Sequence, residues 1–113
     1  MVVIFGGAVA GSEAARCLAE EGIRSIVFDM EALPYGKIEH GLPKWHSKQR
    51  DKEEQTIDAV MTDPLVEFVP RVKLGEDLRI QEVLDWKVSA VLLATGAWRD
   101  RKPSIRGIED YIG

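Results

Sequence analysis

The chain of 113 residues lacks the features that mark several protein classes. Its single cysteine, Cys17, can form neither an internal disulfide nor a Cys-x-x-Cys redox pair. Its apolar runs fall far short of the ~20 residues that a membrane-spanning helix needs. Its 15 basic residues are interleaved with 19 acidic ones, so no basic patch marks a nucleic-acid surface. We therefore expect a cytoplasmic protein with no disulfide framework, no membrane partner and no nucleic-acid partner.

The composition that remains is typical of one globular domain, with 45% hydrophobic and 30% charged residues. Neither an internal repeat nor a low-complexity tract interrupts the chain. No group of residues has the spacing of metal ligands, and we predict no metal site.

The N-terminal stretch has the spacing of a dinucleotide-binding βαβ unit. An apolar run at 2–5 precedes the glycine-rich turn 6–11, a helix is predicted from about Gly11 to Glu21, and an apolar run at 26–28 ends at Asp29. In such units the glycines permit a sharp turn, close approach of a pyrophosphate and tight helix packing, while the acid receives ribose hydroxyls. The open amides at the helix start form a natural anion site. The pattern predicts a dinucleotide site.

One position departs from this pattern, because Ala8 stands where the second glycine is expected. Its methyl group points at or near the path of the pyrophosphate, which weakens or shifts binding without erasing the turn. Two structural interpretations stay open: Gly6 and Gly11 can serve only the strand-to-helix turn, and Asp29 can cap the turn that follows it.

The rest of the chain continues the α/β pattern. We predict an ordered loop over 30–43 and a helix within 44–61, capped by Ser47, whose charged first half is solvated or covered by something outside the chain. A strand at 65–69 and a short extended piece at 72–74 precede a brief helix near Ile80. A strand at 90–94 is typical of parallel sheets covered on both faces. The predicted fold is a Rossmann-like parallel sheet with helices on both faces.

The spacing within these elements also predicts their packing. On the first helix we expect Glu13, Arg16 and Glu20 to form an outer stripe. The residues expected to face the sheet are Ala10, Ala14, Ala15 and Leu18. The residues expected to pack in the protein rather than stack on a ligand are Trp45, Trp86, Trp98 and Cys17.

Two later motifs point beyond a generic dinucleotide fold. Pro34-Tyr35-Gly36, with Gly41 and His46, has the spacing of a P-x-G, G and H loop. Ala94-Thr95-Gly96 ends an apolar strand, and Arg101 and Gly107 follow it. With the extended fingerprint at 6–22, the chain resembles the N-terminal FAD-binding segment of the pyridine nucleotide-disulfide oxidoreductase group. Within that group it looks most like the adrenodoxin reductase and glutamate synthase small-subunit branch.

The resemblance implies FAD as cofactor and assigns site residues over the whole chain. It puts His46 beside the flavin, where a histidine would tune or orient the cofactor and is the candidate catalytic residue. The other interpretations are an exposed helix-entry histidine and, for Thr95 and Gly96, a simple strand end. The implied cofactor-binding residues are Gly6, Gly7, Ala8, Val9, Ala10, Gly11, Asp29, Met30, Gly36, Gly41, His46, Val72, Ala94, Thr95 and Gly96.

The resemblance also implies parts that these 113 residues do not contain. In the family a nicotinamide-binding domain follows, and a later segment with a Gly-Asp motif completes the FAD domain. We therefore expect residues 1–113 to be a partial FAD-binding domain, with 98–113 as a linker towards the absent domain. Two origins fit this expectation: a truncated product of a longer chain, and a subunit that a partner completes.

The predicted function is the FAD-binding portion of an oxidoreductase that passes electrons from NAD(P)H through FAD to an acceptor such as an iron–sulfur protein. We expect the isolated chain to be inactive. Two alternatives stay open: a degenerate, non-catalytic Rossmann-like module for assembly or regulation, and a small NAD-binding domain.

Overall fold

A computed structural model describes residues 1–99, 101, 103–104 and 106–107. Part of the predicted linker 98–113, including Gly113, therefore lies outside the described residues. The elements are β1 (Val2–Phe5), α1 (Val9–Glu20), β2 (Ser25–Phe28), α2 (Lys37–Gly41), α3 (Ser47–Met61), β3 (Val66–Val69), α4 (Ile80–Asp85) and β4 (Ala90–Leu93).

The four strands form one parallel sheet in the order β3-β2-β1-β4. Phe5 at the end of β1 lies level with Phe28 of β2 and Leu93 of β4, so the carboxyl ends of these strands share one edge. The chain runs from β1 through β2 to β3 and then returns to the other side of β1. α1 and α3 pack on one face of the sheet and α4 packs on the opposite face, as expected for right-handed crossovers. The predicted Rossmann-like fold is confirmed.

Each face of the sheet has its own core, because successive side chains of a strand point to opposite faces. The core beneath α1 and α3 contains Ile4, Ala15, Val27, Val60 and Val66. The core beneath α4 contains Val3, Phe5, Phe28 and Val83. The rings of the two phenylalanines stack with centroids 5.4 Å apart. The ends of β1 and β2 are thus fixed from both sides.

β4 is apolar, but much of it is exposed. The side chains of Leu92 and Leu93 are 40% and 61% exposed, whereas their neighbours Ile4 and Phe5 on β1 are 0% and 2% exposed. Within the described residues β4 is an edge strand with one hydrogen-bonded neighbour. The expectation that this strand is covered on both faces is therefore wrong for the described chain.

α1 starts two residues earlier than predicted. Its outer stripe is confirmed, because Arg16 pairs with Glu13 at 2.6 Å and also with Glu20. Ala10 is exposed rather than turned to the sheet, since the buried stripe runs from Gly11 through Ala15 at helical spacing.

The region between β2 and β3 differs from the prediction in three places. The predicted loop 30–43 contains the short helix α2. Ser47 does not cap α3, because it is the first helical residue and His46 holds the cap position without a side-chain bond. Trp45 is 81% exposed, so the expectation that it packs in the protein is wrong. The charged first half of α3 is largely exposed in this chain, which both the solvated interpretation and cover by something outside the chain predict.

Three further observations concern the described residues alone. They contain no helix long and apolar enough to span a membrane. They bring together no group of three His, Cys, Asp or Glu side chains able to hold a metal ion. Cys17 is exposed on α1 instead of packed, because it lies on the outer side of the helix near Glu13.

Candidate functional site

A cleft of about 470 Å³ opens at the edge where the strands end. It lies where the strand order reverses between β1 and β4, which is the position at which open α/β sheets bind ligands. Its volume falls within the range of about 300–1,000 Å³ that is typical of small-molecule sites. The predicted site residues that line it are Gly6, Ala8, Asp29, Met30, Gly36, Val72, Ala94 and Thr95.

The glycine turn is held by close backbone contacts. Gly6 has a φ of +100°, and an added Cβ there would lie 2.7 Å from the carbonyl carbon of Ala94. An added Cβ on Gly11 would lie 2.9 Å from the carbonyl carbon of Gly6. These two glycines therefore let β1, α1 and the end of β4 meet, which is a packing requirement that exists without a ligand.

Asp29 links the end of β2 to the glycine turn. Its side chain is buried, and its Oδ2 accepts the Gly7 N–H at 2.7 Å while its Oδ1 accepts the Glu31 N–H at 2.9 Å. The bond from Glu31 is the turn-capping bond that the structural interpretation predicted. Each carboxylate oxygen has two acceptor positions, so a second donor such as a ribose hydroxyl can still bind. Asp29 thus fixes the turn and also contributes an acceptor to the cleft.

The N-terminus of α1 adds positive potential at the cleft. Its N-cap residue is Ala8, which offers no side-chain cap, and its first turn contains no acidic residue. Amides at a helix start that lack a side-chain partner attract anions. Glu13 lies one turn further on and is engaged by Arg16, which lowers the pKa of its carboxyl group. Glu13 therefore does not compete for the first amides.

The methyl group of Ala8 is accommodated by a glycine in the next loop. An added Cβ on Gly36 would lie 2.8 Å from the Cβ of Ala8, so a larger residue at position 36 would press on the methyl group. Both residues line the cleft, which remains open. The methyl group thus narrows one wall without closing the glycine turn.

The loop at 34–36 is fastened over the turn from two directions. Pro34 is buried, and an added Cβ on Gly7 would lie 2.8 Å from its Cβ. The hydroxyl of Tyr35 donates a hydrogen bond of 2.8 Å to Oδ1 of Asp58 on α3. This bond to a carboxylate raises the pKa of Tyr35 to about 12. The wall of the cleft on this side is therefore tied to α3.

The opposite wall is formed by residues that follow β4. Trp98 and Arg99 line the cleft together with Ala94 and Thr95. The indole Nε1 of Trp98 donates a hydrogen bond of 2.6 Å to the carbonyl oxygen of Thr95. Trp98 is 45% exposed, so this wall is an aromatic side chain only partly covered by protein.

Several predicted site residues do not line the cleft. Gly7 and Gly11 belong to the glycine turn but are buried and outside the lining. Gly41 is exposed at the end of α2, and His46 is exposed just before α3. His46 therefore contributes no side chain to the cleft lining in the described structure. The full set of predicted residues outside the lining is Gly7, Val9, Ala10, Gly11, Gly41, His46 and Gly96.

Other lining residues escaped the sequence analysis, namely Phe5, Phe28, Lys73, Leu74, Trp98 and Arg99. Phe5 and Phe28 could have been found, because they are the last residues of predicted parallel strands whose carboxyl ends meet at one edge. Trp98 and Arg99 carry no such signal, since their position depends on how the chain turns after β4.

A larger open groove of about 600 Å³ lies between α1 and α3. It is lined by side chains of both signs, including Arg16, Glu20, Lys52 and Asp63. Arg16 is already paired within α1, and none of the predicted site residues lies there. The smaller cleft at the strand ends is therefore the candidate site.

Comparisons with known proteins agree with the resemblance. The chain is 29% identical over 112 residues to the glutamate synthase [NADPH] small chain of Halomonas elongata, a match that covers 99% of the chain and 23% of that protein. FprA, an oxidoreductase of Mycobacterium tuberculosis, gives a TM-score of 0.83 at 26% identity over 94% of the chain and 25% of FprA. FprA in complex with NADPH gives a TM-score of 0.83 and 26% identity over 94% of the chain and 24% of that protein. No protein-family model matches the chain.

The expected resemblance to the adrenodoxin reductase and glutamate synthase small-subunit branch is thereby confirmed. The fold is that of the N-terminal part of FprA. The chain spans only about a quarter of the length of the proteins it matches. Its similarity is therefore to one segment of oxidoreductases that are much longer.

Proposed function

We propose that the chain is the FAD-binding portion of a flavin-dependent NAD(P)H oxidoreductase. The observation that carries this proposal is that the glycine turn, Asp29 and the Ala94-Thr95 segment, which are far apart in sequence, line one cleft at the switch point of the sheet. The similarity to longer oxidoreductases, one of them solved with NADPH, supports the same reaction class.

The residues present fit the adenosine diphosphate part of a dinucleotide. The uncapped start of α1 supplies amides and positive potential for the diphosphate. Asp29 supplies carboxylate acceptors for ribose hydroxyls, and Val72 lies along the same cleft wall, where it can contact adenine. The cleft stays open beside the methyl group of Ala8, which supports binding of a nucleotide despite the substituted glycine.

The role of this chain is to bind and orient the cofactor. FAD, when bound, would supply the redox chemistry between NAD(P)H and an acceptor such as an iron–sulfur protein. The bonds from Gly7 and Glu31 to Asp29 set the shape of the binding turn before a ligand arrives, which lowers the cost of binding. The tethered loop at 34–36 limits the movement of the opposite wall.

Further polypeptide completes this proposed site. The exposed leucines of β4 and the coverage of only a quarter of the matched proteins support a nicotinamide-binding domain and a final FAD segment, either downstream of the linker 98–113 or on a partner subunit. We expect no turnover from the 113 residues alone, because the described residues that line the cleft include a single nucleotide-binding turn.

The test is a calorimetric titration of the purified 113-residue chain with FAD, NAD⁺ and NADP⁺. We expect FAD to bind and Ala8→Gly to bind it several-fold more tightly, because that change restores the space of the second glycine. Asp29→Asn should weaken FAD binding about tenfold, since charge-assisted hydrogen bonds are the stronger ones.

The matched control is Asp51→Asn, which removes an exposed carboxylate of α3 outside the cleft and should leave FAD binding unchanged. If neither the natural chain nor Ala8→Gly binds any of the three nucleotides, the proposal fails in favour of a non-catalytic Rossmann-like module. Binding of NAD⁺ without FAD would instead favour a small NAD-binding domain.

A further inference from the structure

Trp98 occupies an unusual place for a tryptophan, because it is a half-exposed side chain in the wall of the candidate cleft. The three tryptophans differ in their surroundings. Trp45 is 81% exposed and lies outside the cleft, and the ring of Trp86 lies 6.3 Å from that of Phe28. Trp98 alone among them combines a cleft position with a fixed ring.

The orientation of the Trp98 ring is set by its one polar atom. Indole has a single hydrogen-bond donor, Nε1, and no acceptor. In Trp98 this donor is bonded to the carbonyl oxygen of Thr95 at 2.6 Å. The intervening Gly96 has a φ of +68°, which lets the chain turn back so that the ring reaches Thr95. With its donor used locally, the ring has only its apolar body to offer a ligand.

The ligand chemistry follows from the other parts of the cleft. The diphosphate-binding turn at Gly6 and Ala8 lies between Asp29 at the end of β2 and Trp98 beyond the end of β4. Adjacent strands lie about 4.8 Å apart, so the ends of β2 and β4 on either side of the turn are separated by roughly two strand spacings, or about 10 Å. A ligand whose phosphates meet the turn can therefore bring a planar ring against the indole.

We propose that Trp98 is a ligand-contacting residue that stacks on a heteroaromatic ring of the bound dinucleotide. This inference rests on the proposed function, because it requires a nucleotide in the cleft. The bond to Thr95 holds the indole in place before binding, so little side-chain freedom is lost when the ring stacks. Either adenine or the flavin ring has the required flat π-face, and the two are separated by experiment.

The experiment compares the affinities of ADP and FAD for the 113-residue chain and three variants by calorimetry, which does not depend on tryptophan emission. Trp98→Ala should weaken binding by about three- to tenfold, as expected for loss of one aromatic stacking contact. Trp98→Phe keeps an aromatic face and should stay within about twofold of the natural chain. Trp45→Ala, which removes the exposed indole outside the cleft, should change nothing.

The pattern across ligands identifies the stacked ring. A loss of affinity for both ADP and FAD assigns Trp98 to adenine, and a loss for FAD alone assigns it to the flavin side. Urea unfolding midpoints of the variants show whether the fold is kept. Where Trp98→Ala weakens ADP binding, Trp98→Phe supplies a second test: excited at 295 nm, it should lose the emission change that ADP produces in the natural chain, since Trp45 and Trp86 lie outside the cleft lining.

Two results would overturn the inference while leaving the proposed function intact. Equal affinity of the natural chain and Trp98→Ala for both ligands would show that the indole makes no contact. Tighter binding by Trp98→Ala would show that the ring competes with the ligand for the cleft. If neither the natural chain nor Ala8→Gly binds ADP or FAD, the proposed function fails and this inference fails with it.

Discussion

The two neighbours of β1 have similar apolar sequences but different surroundings. On β2, Val27 and Phe28 are 0% and 7% exposed, because α1, α3 and α4 cover that part of the sheet. On β4, Leu92 and Leu93 occupy the same registers and are 40% and 61% exposed. Apolar composition therefore identifies a strand, whereas the burial of that strand depends on which helices the chain provides to cover it.

The cleft shows the same asymmetry. Its β2 side is fixed by the hydrogen bonds of Asp29 to two amides and by the bond of Tyr35 to Asp58 on α3. Its β4 side is a turn in which Trp98 donates a hydrogen bond to the carbonyl oxygen of Thr95. This bond joins two residues of the same turn and does not tie the turn to another element. We therefore expect added polypeptide to change the β4 side far more than the β2 side.

The largest expected effect concerns the point where the two sides meet. Gly6→Ala should cost at least about 4 kcal/mol or prevent folding, because the new Cβ overlaps the backbone at Ala94 and φ is positive. Gly75 has nearly the same φ, +92°, but nothing within 4 Å of an added Cβ. Gly75→Ala should therefore cost only about 1–2 kcal/mol, the backbone penalty alone.

Unfolding in urea measures both variants. Since the two glycines share their backbone conformation, the difference between them isolates the close approach of β1 to the end of β4. Equal destabilisation would mean that β4 can shift away, and the tight junction would not exist in solution.

A smaller effect distinguishes β1 from β4 directly. Ile4→Ala removes a fully buried side chain and should destabilise the protein by about 3 kcal/mol. Leu93→Ala removes a largely exposed one and should cost less than about 0.5 kcal/mol. Thermal and urea unfolding give both values. A cost above about 2 kcal/mol for Leu93→Ala would show that β4 is covered in solution, for example by self-association, which light scattering would detect.

The smallest effect concerns the fastening of the β2 side. Tyr35→Phe removes the hydrogen bond to Asp58 and should cost about 1 kcal/mol. The bond keeps the hydroxyl protonated, so the pKa of Tyr35 rises from 10.0 to about 12 in the folded chain. The stabilisation is therefore present below pH 10 and is lost as the pH rises towards 12.

The check is the difference in unfolding free energy between the natural chain and Tyr35→Phe, measured from pH 8 upwards. This difference should shrink above pH 10. Asp58→Asn is the control, because a neutral amide oxygen can still accept the hydrogen bond but no longer repels the phenolate. If the difference in unfolding free energy stays constant with pH, the hydroxyl of Tyr35 is not bonded to Asp58 in solution.

Local sequence patterns predicted most of the fold. The glycine turn, the charged outer stripe of α1 and the four apolar strands were all predictable, because each depends on neighbours a few residues apart. Ser47 was misassigned as a cap, since chain geometry before α3 decides which residue is the last non-helical one. Ala10 was misassigned to the inner face because a start two residues earlier rotates the buried stripe.

The candidate site was less predictable than the fold. The sequence pointed to Gly6, Asp29 and Thr95 as site residues, and all three line the cleft. It gave no reason to choose Trp98 over Trp45 or Trp86, because the direction of an aromatic side chain depends on the turn that carries it. It associated His46 with the cofactor, a role that stays a prediction since the side chain lies outside the cleft lining.

Local sequence patterns specify the succession along the chain of the four strands, of α1, α3 and α4, and of the glycine turn, since those follow from periodicity and from the conformations that glycine alone adopts readily. Contacts between distant segments decide which residues share the cleft, which strand is left uncovered and that Asp29 bonds to the glycine turn. These features depend on contacts between segments more than 20 residues apart, such as Gly7 with Asp29 and Gly6 with Ala94. Local patterns cannot specify such contacts, because they arise only when the sheet has formed.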